Sequence, residues 1–221
     1  MESGIPGFDK VYTFQRKQVI LCLGPPSPEK ITFIQQFLFG GLGAGEPGLY
    51  LTMDHTPSEV RADMERNGWD VKKYEDTGLL RFVDCFSWII HEKDMNPSVT
   101  TITSPSALSE IAIAISTLLD QVKNARVVID SLSTMMLYND PTSVFRFFQL
   151  IGSKIKKNEA VMIALLEEGM HAEQVNVTLE HLSDGTLKIK TVPDHMLRIE
   201  RLSNADWVAY KLTEKGLVVL S

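Results

Sequence analysis

The stretch QVILCLGPPSPEKITFIQQFLF, residues 18–39, decides the fold class. Gln18 to Leu23 is a short apolar run ending at Gly24, the pattern of a buried strand. Ser27 is a good helix N-cap, and Pro28 suits the first helical position. Ile31, Ile34, Phe37 and Leu38 follow at helical spacing, and Gly40-Gly41 with Gly43 to Gly48 is expected to stop the helix. Strand, glycine turn and helix in that order predict the start of an alternating α/β chain.

The alternation continues in both composition and punctuation. Leu49 to Met53 reads as a second strand, Ser58 to Asn67 as a charged helix closed by Gly68, and Leu79 to Val83 as a third strand. His91 to Thr103 is polar, carries Pro97 and reads as a loop. Pro105 to Lys123 is an amphipathic helix, Val127 to Ile129 a strand ending in Asp130, Pro141 to Lys157 a helix and Ala160 to Leu166 a strand. Such alternation implies right-handed crossovers and a parallel sheet.

From Glu180 the pattern changes. Thr186 to Val192, Met196 to Arg201, Trp207 to Leu212 and Leu217 to Leu220 are short strand-like runs. Turns at Pro193-Asp194, Asn204-Ala205-Asp206 and Lys215-Gly216 separate them, which predicts a C-terminal antiparallel β-meander. No linker, repeat or low-complexity segment interrupts the chain, so residues 1–221 are expected to form one domain.

With 221 residues, 44% hydrophobic and 23% charged, the composition is that of a globular protein. The net charge of −6 has the same sign as a phosphate backbone, so nucleic acid is not the expected partner. Cys22 and Cys85 have no metal or disulfide spacing, and the five histidines include no helical i, i+4 pair. No signal peptide or membrane-length apolar run is visible, so a cytoplasmic location is expected.

A glycine after a strand, with a lysine six residues later at a helix start, is the setting of a phosphate-binding loop, G-x-x-x-x-G-K-[ST]. Here Gly24 and Lys30 match, Glu29 replaces the second glycine, and Ile31 replaces the hydroxyl residue. Other signatures fall in register around it. They are Gly4-Ile5-Pro6-Gly7-Phe8-Asp9, Gly45-Glu46-Pro47-Gly48, Thr56-Pro57-Ser58-Glu59 and Gly68-Trp69-Asp70. Val127 to Ser133 and Leu182-Ser183-Asp184-Gly185 complete the series. Together they resemble the KaiC-like branch of the RecA superfamily, from about Gly4 to Leu220. The resemblance implies a RecA-like P-loop NTPase core, an ancestral ATP site and a tendency to form rings or filaments.

The resemblance also makes the departures legible. It implies a vestigial nucleotide site at Gly24, Ser27, Lys30 and Thr32, a magnesium position at Asp130 and a general-base position at Asp54-His55. Pro28 has no N–H to offer a phosphate, and Ile31 cannot bind Mg²⁺. Glu29 places a carboxylate at the helix N-terminus, where a phosphate would otherwise sit. Glu29 and Asp130 are the expected partners of Lys30; Ser131 or Lys30 is the expected partner of Asp130. Asp54 is one methylene shorter than the family's glutamate and has an alternative reading as a helix cap. A family Lys-x-Arg pair, reaching a neighbouring subunit's nucleotide, falls on Glu200-Arg201-Leu202, with Arg201 on the opposite strand face.

These readings predict a non-catalytic regulatory or interaction protein, with no cofactor and a protein partner, for instance an active paralogue. A monomer or small homo-oligomer is expected, with no membrane partner. The alternative is a weak ATP binder or ATPase, with Mg²⁺, using Lys30, Thr32, Asp54 and Asp130. A recombinase role is disfavoured because Glu167 to Asn176, where recombinases present DNA-binding loops, has three Glu and no Lys or Arg. Phe145, Phe147 and Phe148 are expected in the core. Met135 to Tyr138 reads as core or as a partner surface.

Overall fold

The computed structural model describes every residue except Lys93, Ala205 and Ser221. Its strands are β1 (Gln18–Gly24), β2 (Gly48–Thr52), β3 (Leu80–Asp84), β4 (Val99–Thr101), β5 (Arg126–Asp130), β6 (Val161–Glu167), β7 (Gly185–Lys190), β8 (Met196–Glu200), β9 (Val208–Thr213) and β10 (Gly216–Val219). They form one sheet in the order β10-β9-β8-β7-β1-β6-β5-β2-β3-β4. All pairings from β7 through β4 are parallel, and β7-β8, β8-β9 and β9-β10 are antiparallel.

The helices are α1 (Pro28–Gly43), α2 (Pro57–Arg66), α3 (Lys72–Asp76), α4 (Leu108–Gln121), α5 (Leu132–Tyr138), α6 (Pro141–Lys157) and α7 (Glu173–Leu182). They divide between the two faces of the sheet. Ile20 and Cys22 of β1 point into one core, with α1, α2 and the N-terminal segment. Val19, Leu21 and Leu23 point into the other, with α4, α5, α6 and α7. Strand alternation on a sheet covered on both sides produces this split. No helix among the described residues is long and apolar enough to cross a membrane.

The structure corrects several expectations. Gly40 and Gly41 lie inside α1, which ends within the second glycine stretch, at Gly43. A Cβ on Gly40 would lie 2.6 Å from the Gly4 Cα, so glycine there admits the N-terminal segment against the helix. The stretch expected to be a loop contains β4, which gains its hydrogen bonds only by pairing with β3. The helices α3, α5 and α7 are not among the expected elements, and α4 starts after Pro105 rather than at it. The meander begins as a parallel strand, because β7 pairs with β1 before the chain reverses. Of the turn expected at Asn204 to Asp206, Ala205 lies outside the described residues.

Candidate functional site

The carboxyl ends of β1, β6, β5 and β2 lie side by side, a common place for ligands in open α/β sheets. They bring Gly24, Glu167, Asp130 and, just past β2, Asp54 to one edge. Ladder register puts Gly24 opposite Glu167 and Thr52 opposite Asp130.

Lys30 is the third residue of α1, and its side chain is fully buried. Its Nζ donates to Gly24 O at 2.8 Å and forms a short ion pair with Glu167. This corrects the expected pairing with Glu29 or Asp130. In the sequence Glu167 stands out only as the first residue of an acidic segment. Its signal is the one that marked Asp130, an acidic residue ending a central apolar strand. A buried ammonium needs a counter-charge, and the adjacent strand end supplies it.

Gly24 serves packing as well as the turn. A Cβ there would lie 2.5 Å from the Ile189 carbonyl oxygen of β7. Ser27 occupies the N-cap position of α1, but its side chain makes no capping bond, and its Oγ is buried without a partner among the described residues. Glu29 is buried in the first turn; one carboxylate oxygen lies 3.5 Å from His195 Nδ1, and the other has no hydrogen bond among the described residues. Ile31 packs against the apolar core. Thr32 lines a cavity of about 420 Å³ between α1 and α2, together with Ser27, Gln35 and His55.

Asp130 is buried and accepts a 2.7 Å hydrogen bond from Tyr50 Oη, rather than from Ser131 or Lys30 as expected. The Asp130–Ser131 peptide is cis. Burial raises the Asp130 carboxyl to about 6; the Tyr50 hydrogen bond opposes this, and the nearby Asp54 charge adds to it. The Tyr50 phenol is raised in turn by burial and by Asp130.

Asp54 does not cap a helix. Thr56 caps α2 in a capping box with Glu59. Asp54 instead accepts from Thr134 Oγ1 at 2.6 Å and Ser131 Oγ at 3.3 Å, so both carboxylate oxygens bond the start of α5.

Far along the sheet, β8 ends at Glu200, and Arg201 follows with φ 70° and donates to Glu180 O. Arg201 is therefore beyond the strand, not on its opposite face. Glu200 is paired with Lys188 at 2.9 Å and with Arg198. The segment Glu167 to Asn176 is a strand end, a short loop and the first turn of α7. No group of three or more metal-ligating side chains occurs among the described residues. The Cys22 thiol is buried and raised to about 12, chiefly by desolvation. Phe147 and Phe148 are in the core with Phe145 packed against it; Met135 is buried, whereas Leu137 and Tyr138 are exposed.

A family model described as the KaiC ATPase matches residues 1–203. A UPF0273 protein of Aeropyrum pernix is 30% identical over 199 residues, which cover 86% of this chain and 77% of the relative. One from Methanopyrus kandleri is 35% identical over 148 residues, covering 66% of this chain and 58% of the relative. The chain thus spans little more than half of that relative, and 56% of a Pyrococcus furiosus one. A KaiC-like protein of Pyrococcus horikoshii has the same fold, with TM-score 0.81, 20% identity and coverage of 100% of this chain and 98% of that chain.

Proposed function

Because the chain belongs to the KaiC family, we propose that it is a member whose ATP site has decayed and that it works as a regulatory or interaction protein. One observation carries this reading: the ammonium of Lys30 is fully buried against Glu167 and Gly24 O. A phosphate would have to break that pair at the start of α1. The residues present do not fit a metal-bound triphosphate. Ile31 offers no oxygen, Asp130 is engaged by Tyr50, and Asp54 is tied to Ser131 and Thr134. The role left for such a protein is contact with another protein, an active paralogue being the simplest case.

Isothermal calorimetry tests this. Mg·ATP binding is expected at a Kd on the order of 1 mM or weaker, about 4 kcal/mol. Micromolar affinity would overturn the reading in favour of a working site on Lys30, Thr32, Asp54 and Asp130. The triple substitution Pro28→Ser, Glu29→Gly, Ile31→Thr is expected to restore some binding but little hydrolysis.

A further inference from the structure

The two faces of β7–β10 are treated differently by the fold. One face packs Leu187, Ile189, Leu197 and Leu217 into the core with α1. The other contributes nothing to the core under α4–α7, because that helical layer stops at α7. Lys188 pairs with Arg198 across the β7–β8 ladder, and Met196 with Ala209 across β8–β9, so these side chains share the open face. Two residues further along β9, Lys211 extends the same face.

The charges on this face do not balance. Glu200 is engaged by Lys188 and Arg198. Lys190 and Lys211 form no ion pair among the described residues, and Arg198 Nε is buried without a hydrogen bond. Lys190 Nζ lies 3.9 Å from the Trp207 ring centroid, and the Arg198 guanidinium lies 5.1 Å from it. The indole thus gathers two cations on a chain whose net charge is −6.

We propose that this open face docks an acidic segment of a partner protein. Charge complementarity selects an anion, since Lys190 and Lys211 lack counter-charges. Two observations favour protein over nucleic acid. Two cations already flank the indole that a base would stack on, and Trp207, Arg198 and Met196 are residue types enriched in protein interfaces. The carboxylate of Glu200, set between Lys188 and Arg198, is an internal example of the ligand the face accepts. The inference is independent of the β1–α1 loop, so nucleotide titration tests the one and peptide titration the other.

The test follows the Trp207 indole N–H by NMR while a short polyglutamate peptide is added to the full chain at low salt. Saturable shifts at Trp207 are expected, weakening about tenfold in Lys190→Gln/Lys211→Gln, two exposed positions that leave the core intact. A Lys72→Gln/Lys73→Gln variant, away from this face, is expected to bind as the parent does. Four results would overturn the proposal: no shift with polyglutamate; the same shift with a neutral peptide; tighter binding of a short oligothymidylate; or shifts that depend only on protein concentration, which would mean that a second copy covers the face.

Discussion

At the residue scale, the candidate site is shaped by how its buried ionisable side chains, Lys30 and Asp130 among them, are partnered. Lys30 is fully buried, whereas the side chain of its partner Glu167 is 19% exposed. Removing Glu167 strands an ammonium in the core; removing Lys30 leaves a carboxylate that water can reach. Glu167→Ala is therefore expected to cost about 3–5 kcal/mol, and Lys30→Met clearly less. Urea unfolding of the two variants checks the asymmetry. Equal losses would contradict it.

Asp130 behaves in the opposite sense to a salt-bridged carboxylate. Burial raises its carboxyl from 3.8 to about 6, so between those values the folded state keeps a proton that the unfolded state has lost. Its stabilising contribution is complete below about pH 4 and disappears as pH rises through 6. Asp130→Asn removes the buried charge while retaining an acceptor for Tyr50 Oη. It is expected to stabilise the protein by about 1–3 kcal/mol at pH 7.5 and hardly at all at pH 4. Denaturation at the two pH values measures this, and a loss at pH 7.5 would mean that the carboxylate is needed charged.

At the scale of elements, two glycines at either side of α1 have opposite roles. Gly24 lets β7 approach β1, and its missing Cβ is occupied by the Ile189 carbonyl. Gly43, the last residue of α1, has no atom from outside its own turn of helix, among the described residues, within 4 Å of where a Cβ would lie. Gly24→Ala is expected to cost about 1–3 kcal/mol through strand displacement. Gly43→Ala is expected to gain a few tenths to about 1 kcal/mol through a stiffer unfolded chain. Thermal unfolding separates them by sign.

At the scale of the whole molecule, assembly follows from the site. Where ATP sits at a subunit interface, its binding holds neighbours together, and a chain that does not bind it lacks that linkage. Light scattering is expected to report a monomer or small oligomer unaffected by Mg·ATP. A hexamer formed only with ATP would overturn this and the decayed-site reading together.

Periodicity and punctuation by themselves determined the layered α/β plan. Local physics sets these features, so they need no distant partner: α6 begins at Pro141 and ends at Lys157 as its pattern predicts, and Asp130 ends a buried strand. Contacts between remote segments decided the rest. The three-residue strand β4 exists only through its pairing with β3, and β7 is parallel because it docks on β1. Glu167 is 137 residues from Lys30 in sequence, and Asp130 is 80 from Tyr50, so their pairing depends on strand order. A buried charge takes the nearest counter-charge in space, and a linear pattern does not specify which strand end will be adjacent.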